Sequence, residues 1–274
     1  MQCYEHWVLA SDKLDHLRGV IRGMESVLVA YSGGLDSAFV LAVATQELGD
    51  RALGLTAVSP SLARRERDDA QRIAHELGAQ HRFVESQEIH NPSYASNPEN
   101  RCFFCKSELY RIMSDIRARE GFAQIVNGTN LDDLGDFRPG LDAAREAGVR
   151  SPMVEVELHK QEVRELARGL GLSFWDKPAA ACLSSRLPYG TAVTSERLAQ
   201  VESLEDALLG LGLRQVRVRH HGSLARVEVA RDELEAAFAV RDALVAAGKQ
   251  AGYVYVTLDL AGYRQGSLNA LRVL

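Results

Sequence analysis

The sequence predicts an α/β protein with a doubly wound parallel sheet, followed by a smaller α+β domain. Short apolar runs alternate with amphipathic stretches of helical length up to about residue 170, which is the pattern of parallel βαβ units. A polar, glycine-rich loop directly follows the first apolar run, at the edge where such sheets bind ligands. After Leu187 the pattern changes to helices and a hairpin, which predicts the second domain.

The individual elements follow from apolar spacing and turn residues. Predicted strands begin at Val27, Leu53, His81 and Gln124, and predicted helices cover residues 5–23, 37–48, 62–77, 101–119 and 159–170, with Ser61 as an N-cap. Residues 88–100 contain two Asn-Pro pairs and are predicted to form a loop. Later predictions are helices at 194–209 and 231–247, a hairpin of 215–221 and 224–229, and a last strand at 253–258. We expect a nucleotide-binding domain at 1–187 and a substrate-binding or oligomerisation domain at 188–274.

The composition excludes several classes of protein. Of the 274 residues, 46% are hydrophobic and 25% charged, and the formal net charge is −5. These values are typical of a globular protein and argue against a dedicated nucleic-acid binder, which would have a basic surface. No apolar run approaches the roughly 18 residues of a membrane span, and the acidic residues near the N-terminus argue against a signal peptide. We expect a cytoplasmic protein whose four cysteines are ligands or reactive thiols.

The glycine-rich loop is Ser32-Gly33-Gly34-Leu35-Asp36-Ser37, between a predicted strand and a predicted helix. Glycines permit a tight turn and a close approach to a ligand, and the N–H groups at the start of the following helix favour an anion such as phosphate. Asp36 beside phosphates requires a bridging cation, and Mg²⁺ is the usual one. The spacing differs from Walker A and dinucleotide-binding loops. The alternative is an ordinary glycine-rich turn.

This string resembles the PP-loop of the ATP pyrophosphatases, enzymes of the adenine nucleotide alpha hydrolase-like fold. The resemblance implies that ATP is cleaved between its α and β phosphates and that AMP is transferred to a substrate oxygen. It also implies that Ser32, Gly33, Gly34 and Ser37 bind the pyrophosphate portion of ATP. Asp36 would hold Mg²⁺ in the same site.

A second polar stretch follows the predicted strand at 124–126. It includes Gly128 and Thr129, which we expect at the same ligand-binding edge of the sheet. The carboxylates that come next are Asp132, Asp133 and Asp136. Such a group suits a metal ion or a cationic substrate, and the alternative is a solvated acidic turn with Asx caps.

Three cysteines invite a joint interpretation. Cys102 and Cys105 stand at the start of a predicted helix, whose N-terminus favours the thiolate form, and Cys182 lies in a later loop. Zinc normally takes a fourth protein ligand, whereas three thiolates would hold a [4Fe–4S] cluster with one iron open to sulfur or substrate. The alternatives are a redox pair with an unrelated third thiol, or buried inert cysteines. Cys3 fits no pattern.

Longer motifs are similar to those of the LarE family over essentially the whole chain. The motif that carries the third cysteine is Trp175-Asp176-Lys177-Pro178-Ala179-Ala180-Ala181-Cys182-Leu183-Ser184-Ser185-Arg186-Leu187-Pro188-Tyr189-Gly190. The other motifs are Gly128-Thr129-Asn130 with Asp132, Asp133 and Arg138-Pro139-Gly140, and Arg217-Val218-Arg219-His220-His221-Gly222 with Ala225-Arg226-Val227-Glu228.

This resemblance implies an ATP-dependent sulfur transferase in the synthesis of the nickel-pincer cofactor of lactate racemase. The implied substrate is pyridinium-3,5-biscarboxylic acid mononucleotide, whose carboxylates are adenylated and converted to thiocarboxylates. In one branch of the family the cysteine matching Cys182 gives up its sulfur and becomes dehydroalanine. In another branch two further cysteines join it to hold a [4Fe–4S] cluster, and Cys102 and Cys105 place this sequence there. The implied partners are the preceding and following maturation enzymes, and the implied assembly is a trimer or hexamer.

The substrate side of the site is expected in the second domain. Arg217 and Arg219 alternate on one strand face and suit bidentate binding of the substrate phosphate, and the alternative is a solvated strand face. The resemblance places Ser185 and Glu228 near the family's substrate site.

Four further residues are candidates for the sulfur step. Lys106 and Arg186 would supply the positive charge that keeps a thiolate ionised, and the alternative is that these charges only aid surface solubility. Asp176 or Glu205 would carry a proton if sulfur leaves Cys182, and the sequence does not choose between them.

Other classes share the loop. A PP-loop tRNA thiolase adenylates its substrate and can carry a three-cysteine cluster, but it would have an RNA-binding module or a broad basic surface. An ammonia-dependent AMP-forming ligase such as NAD synthase needs no three-cysteine site. A regulatory module that only binds ATP or AMP would release no pyrophosphate.

Overall fold

The computed structural model describes residues 2–135, 138–178 and 180–264, with side chains from residue 10 onward. The chain divides into two compact units: unit 1 is Met1–Glu88 with Asn100–Ala180, and unit 2 is Ile89–Glu99 with Ala181–Leu274. This division differs from the expected domains, because residues 181–187 and the separate segment 89–99 group with the C-terminal part. The functions expected of the two domains stay predictions.

Unit 1 contains the predicted parallel sheet. Its strands are β1 (Val27–Ala30), β2 (Ala52–Val58), β3 (Gln80–Glu85) and β4 (Gln124–Val126). They are parallel and lie in the order β3-β2-β1-β4. The chain moves from β1 outward through β2 and β3, and then places β4 on the other side of β1. The carboxyl ends of β1 and β4 therefore flank the switch point, where sheets of this type bind ligands.

Helices cover both faces of this sheet. The helices up to residue 169 are α1 (Gln2–Arg22), α2 (Leu35–Leu48), α3 (Arg64–Glu76), α4 (Pro92–Ala95, in unit 2), α5 (Arg101–Glu120), α6 (Pro139–Glu146), α7 (Pro152–Glu155) and α8 (Lys160–Gly169). Val27 and Val29 of β1 pack with α1, α2 and α8, whereas Leu28 and Ala30 pack with α5 and α6. Successive side chains of a strand point to opposite faces, so β1 is apolar throughout and buried at every position. The doubly wound α/β prediction is confirmed.

Within residues 1–170, three local predictions differ from the structure. Ser61 does not cap a helix, because its hydroxyl donates to the buried Glu88 carboxylate (2.9 Å) and α3 begins at Arg64 after Ala63. The predicted loop at 88–100 contains α4, which Asn91 caps by accepting the Ser93 N–H. Two helices went unpredicted, α6 and α7, because both are short and each begins at a proline, which is tolerated in the first turn.

Unit 2 contains a three-stranded sheet in the order β5-β6-β7. β5 (Val216–His221) and β6 (Leu224–Val229) form the predicted antiparallel hairpin, and β7 (Tyr255–Leu258) runs parallel to β6. The helices are α9 (Ser195–Gly210), α10 (Leu234–Ala239) and α11 (Arg241–Gln250). The predicted continuous helix at 231–247 is wrong, because the backbone leaves helical geometry at Val240 (φ −99°, ψ 19°).

No helix within the described ranges has the combination of length and apolar sequence needed to cross a membrane.

Candidate active site

The glycine-rich loop joins β1 to α2 at the switch point. Ser37 closes the loop, because its hydroxyl accepts the Ser32 N–H (3.1 Å) and donates to the Gly34 carbonyl (3.1 Å). Helix α2 begins at Leu35, and its N-cap Gly34 supplies no side-chain cap. The first N–H groups of a helix have no partner within that helix, so the start of α2 offers donors for the phosphates of a nucleotide.

Two glycines allow the close packing that shapes this loop. Gly33 has φ +73°, and a Cβ there would lie 2.9 Å from the Cα of Ala70 in α3. A Cβ on Gly128, after β4, would lie 2.5 Å from the backbone nitrogen of Ser37. Larger residues at either position would displace backbone. The structure therefore gives Gly128 a packing role against the loop, and nucleotide contact by Gly128 and Thr129 stays a prediction.

The Asp36 carboxylate is the centre of a polar cluster at the carboxyl ends of β1 and β4. Its Oδ2 forms an ion pair with Nζ of Lys160, the first residue of α8. Its Oδ1 accepts a hydrogen bond from Nδ2 of the buried Asn130 (3.3 Å). A carboxylate, an ammonium group and an amide thus meet beside the loop, which is the charge pattern expected where phosphates and a divalent cation bind.

Lys160 is a site residue that sequence reasoning missed. Its position is fixed, because its backbone N–H donates to Asp132 Oδ2 (2.7 Å) and the preceding His159 N–H donates to Glu162 Oε2 (2.8 Å). One signal was present in the sequence. A cation at the start of a helix is disfavoured by the helix dipole, so a lysine at the first position of α8 points to a partner outside the helix.

Two carboxylates of the predicted acidic loop, those of Asp132 and Asp133, have hydrogen-bonding or ion-pair partners within unit 1. Asp132 accepts hydrogen bonds from His159 Nδ1 (2.7 Å) and the Lys160 amide, which lower the pKa of its carboxyl. Asp133 forms an ion pair with Arg138 (2.7 Å). Burial raises the pKa of Asp133 despite the favourable interactions with Asn130 and Arg138. Asp136 lies outside the described residues.

These contacts argue against a preformed metal site in the acidic loop. Two of its predicted carboxylates already have partners, and in the described part of the chain no three His, Cys, Asp or Glu side chains form a group that could hold a metal ion. The alternative prediction was an acidic turn with Asx caps, and Asx turns are present. Asn127 Oδ1 accepts the Thr129 N–H (3.0 Å), and Asn130 Oδ1 accepts the Asp132 N–H (3.0 Å).

The three cysteines are distributed over both units. Cys102 and Cys105 lie in the first two turns of α5 in unit 1, and residues three apart in a helix share one side of it. Cys102 is exposed and Cys105 is partly exposed. Cys182 belongs to unit 2 and is also exposed. All three are therefore accessible thiols, and the alternative of buried inert cysteines is wrong.

The segment that carries Cys182 is anchored by a buried arginine. Arg186 donates to both carboxylate oxygens of Glu205 (2.9 and 3.0 Å), and its Nη1 donates to the carbonyls of Ala181 (2.6 Å) and Cys182 (3.0 Å). The guanidinium thus binds the backbone around Cys182, and Glu205 neutralises its charge. A role for Arg186 in stabilising a Cys182 thiolate stays a prediction.

Lys106 and Asp176 belong to unit 1. The stem of Lys106 passes close to α6, where a Cβ on Gly140 would lie 3.1 Å from its Cγ. Asp176 is exposed. Their predicted roles in the sulfur step stay predictions.

Arg217 and Arg219 are buried, with exposed fractions of 8% and 6%, so the alternative of a solvated strand face is wrong. Arg219 donates twice to Glu228 Oε2 (3.0 and 2.7 Å) and once to the Ser185 carbonyl (3.0 Å). Arg217 lies over the Tyr263 ring, 5.3 Å from its centroid. The structure thus brings together the predicted substrate residues Ser185, Arg219 and Glu228, and Arg217 is opposite Glu228 in the β5–β6 register.

Glu228 is fully buried, and it also accepts a hydrogen bond from Arg226 (3.2 Å). Arg226 forms a second ion pair with Asp259 (3.4 Å). Arg219 and Arg226 therefore pair with Glu228, and Arg217 stands opposite it in the register. Binding of the substrate phosphate by Arg217 and Arg219 stays a prediction.

Comparison with known proteins places the chain in a family. No protein-family model matches the sequence. The chain is 45% identical over 265 residues to an uncharacterised protein of Synechocystis sp., covering 95% of this chain and 98% of that protein. It is 37% identical over 254 residues to the pyridinium-3,5-bisthiocarboxylic acid mononucleotide synthase of Lactiplantibacillus plantarum, covering 92% of each.

A more distant relative matches only part of the chain. The chain is 28% identical over 158 residues to the NH(3)-dependent NAD(+) synthetase of Pyrococcus horikoshii, covering 55% of this chain and 59% of that protein. This partial match supports the PP-loop fold and the use of ATP. The similarity to the Lactiplantibacillus synthase spans almost the whole chain, including both units. The chain therefore belongs to the LarE family of PP-loop sulfur transferases.

Proposed function

We propose that this protein adenylates the carboxylates of pyridinium-3,5-biscarboxylic acid mononucleotide and converts them to thiocarboxylates for a nickel-pincer cofactor. The observation that carries the proposal is the exposed thiol of Cys182 on a segment anchored by buried charges, in a chain that also has a phosphate-binding loop. The product named for the Lactiplantibacillus relative supports the choice of substrate. The proposed partners are this mononucleotide and the enzymes of the preceding and following maturation steps. We propose that the protein assembles as a trimer or hexamer and that it is located in the cytoplasm.

Adenylation is assigned to the loop between β1 and α2. A substrate carboxylate oxygen attacks the α-phosphorus of ATP, the bond between that phosphorus and the α,β-bridging oxygen breaks, and pyrophosphate leaves. The N–H groups of the loop and of the start of α2 bind the pyrophosphate portion. Lys160 neutralises the negative charge that develops on the phosphates.

The donor chemistry of this cluster fits Mg²⁺. Magnesium is commonly held by one or two carboxylates together with substrate phosphates, and the Asp36 carboxylate is already paired with one cation, the ammonium of Lys160. We infer that Asp36 holds the ion. When bound, Mg²⁺ would neutralise part of the phosphate charge.

In the route that uses the protein's own sulfur, the Cys182 thiolate attacks the acyl carbon of the adenylate. AMP leaves with the electron pair of the broken C–O bond, and a thioester joins the substrate to Cys182. A general base takes the Cα proton of Cys182, the electron pair of that C–H bond forms the Cα–Cβ double bond, and the Cβ–S bond breaks with its electron pair on sulfur. A thiocarboxylate remains on the substrate, and dehydroalanine remains in the chain.

We also propose that Cys102, Cys105 and Cys182 hold a [4Fe–4S] cluster that supplies the sulfur, and this is the route that the three cysteines favour. Thiolates are the right donors, and the three thiols are accessible. When bound, a cluster with three protein ligands would supply an open iron that carries sulfide.

The proposed function is tested by incubating the purified protein with ATP, Mg²⁺ and the mononucleotide. We expect AMP and pyrophosphate to form only with the mononucleotide present, and mass spectrometry to show oxygen replaced by sulfur in the product. The same assay with tRNA or with ammonia is the control. Adenylation without sulfur in the product would contradict the proposal.

The cluster is tested by iron and sulfide analysis of protein purified without oxygen. A cubane cluster gives about four iron atoms per chain, and we expect Cys102→Ser with Cys105→Ser to lose this iron and the accompanying visible absorption. Cys3→Ser is the matched control and should retain both. Protein without iron under these conditions, with loss of sulfur from Cys182 after turnover, would contradict the cluster and support the protein's own sulfur.

A further inference from the structure

The chain around Cys182 combines an exposed thiol with a buried support. Residues 180–182 are exposed, whereas Leu183, Ser184 and Arg186 are buried in a 3₁₀ turn that begins directly after the cysteine. Cys182 is the N-cap residue of this turn, and its carbonyl accepts the Ser185 N–H (3.0 Å). The thiol is therefore presented by a rigid turn.

Arg186 fixes the peptide groups on both sides of this cysteine. Its Nη1 donates to the Ala181 carbonyl, which precedes the Cys182 Cα, and to the Cys182 carbonyl, which follows it. It also donates to Ser185 Oγ (3.1 Å). Only 1% of the Arg186 residue is exposed. Its planar guanidinium donates hydrogen bonds to several acceptors at once from this buried position.

Glu205 of α9 fixes the position of the Arg186 guanidinium. Its two carboxylate oxygens accept Nε and Nη2 of Arg186 (2.9 and 3.0 Å), and Oε1 also accepts the Val218 N–H of β5 (2.9 Å). Burial opposes the charged form of Glu205, but the Arg186 charge and these hydrogen bonds outweigh burial and lower the pKa of the carboxyl. Both oxygens have partners, and the charged form is the stable one.

Other contacts within unit 2 support the same turn. The Tyr94 hydroxyl, from α4, lies 2.7 Å from Ser184 Oγ in a buried hydrogen bond. Arg219 donates to the Ser185 carbonyl (3.0 Å). The turn after Cys182 is thus held from α4, α9 and β5.

We propose that Glu205 is a positioning residue that acts through Arg186 to fix the backbone of Cys182, and that it does not carry a proton in the reaction. This inference rests on the proposed function of Cys182. Attack on an acyl carbon requires a sulfur atom held within a narrow range of position and direction. Loss of the Cα proton in the same residue requires the same backbone to be fixed. Glu205, Arg186 and the two flanking carbonyls supply that constraint.

The test compares Glu205→Gln with Glu233→Gln in single-turnover thiolation. Glu233 is a matched control, because it is also a buried carboxylate of unit 2 and accepts two backbone N–H groups and an arginine. We expect Glu205→Gln to slow thiolation at least tenfold and to leave mononucleotide-dependent ATP–pyrophosphate exchange within twofold of the unaltered protein. Glu233→Gln is expected to lower Tm without a comparable loss of thiolation.

The pH profile separates positioning from proton transfer. If Glu205 only positions, the slower Glu205→Gln reaction keeps the midpoints of the unaltered pH–rate profile. Loss of one limb of that profile, or rescue by added formate, would identify a proton carrier and overturn the proposal. Equal thiolation rates in Glu205→Gln and the unaltered protein would also overturn it.

Arg186→Lys is a second, independent variant. Lysine keeps the charge beside Glu205 but lacks the planar fork that reaches both carbonyls, so we expect the same loss of thiolation with exchange retained. Full activity in Arg186→Lys would show that charge alone matters. If the unaltered protein adenylates the mononucleotide but never thiolates it, the proposed function fails, and that result is distinct from a failure of the Glu205 assignment.

Discussion

Cys182→Ala is expected to lower the yield of thiolated product at least a thousandfold and to leave the rate of ATP–pyrophosphate exchange within about threefold of the unaltered protein. Both sulfur routes need this thiol, either as the nucleophile or as a cluster ligand, and a methyl group replaces neither. Adenylation is assigned to the loop in unit 1, whereas Cys182 belongs to unit 2. The measurement is exchange of labelled pyrophosphate together with mass spectrometry of the mononucleotide.

A paired variant separates the two sulfur routes. Cys102→Ser with Cys105→Ser removes two cluster ligands but leaves Cys182 intact. If Cys182 gives up its own sulfur, this double variant still forms one thiocarboxylate per chain, and the mass of the protein falls by one sulfur atom and two hydrogen atoms. If the cluster supplies sulfur, the double variant forms none. Thiolated product from Cys182→Ala itself would contradict every role assigned to this residue.

The fold was predictable because its signals are local. Strand β1 is apolar at each position because helices bury both of its faces, and this produces the short continuous run that predicts a strand of a parallel sheet. The hairpin of β5 and β6 was predictable from its turn at Gly222, which has φ +65°. In contrast, Ser61 has the sequence signature of a cap, and only the distant Glu88 carboxylate decides its partner.

The residues of the site were predictable, but their partners were not. Arg217 and Arg219 have the alternation of an exposed strand face, and they are buried because Glu228, in register on the next strand, neutralises charge there. The described hydrogen bonds of Arg186 go to Glu205, to Ser185 Oγ and to backbone carbonyls, and its expected action on a thiolate stays a prediction. Pairings across many residues depend on the tertiary structure, which spacing in the sequence does not encode.

Lys160→Met is expected to lower ATP–pyrophosphate exchange by about a hundredfold to a thousandfold, the effect of removing one preorganised charged donor from a reacting centre. Lys160 is the cation paired with Asp36, and its position is fixed by the Asp132 contact to its backbone. Methionine keeps the length of the stem and removes the charge. The measurement is the exchange rate at saturating ATP and mononucleotide, with Lys249→Met, an exposed lysine at the end of α11, as the matched control.

A double variant decides whether Lys160 acts on ATP or only compensates Asp36. If compensation were its whole role, Lys160→Met with Asp36→Asn would exchange at the rate of Asp36→Asn alone, because Lys160 has nothing to compensate once the carboxylate is gone. If both groups act on the nucleotide, as we expect, the double variant is slower than either single variant. Lys160→Met alone should also reach half-maximal exchange at a lower Mg²⁺ concentration, because the ammonium no longer competes with the metal for the Asp36 carboxylate. A double variant as fast as Asp36→Asn alone would leave Lys160 a structural partner of Asp36 and would return the phosphate-binding role to the loop and the start of α2 alone.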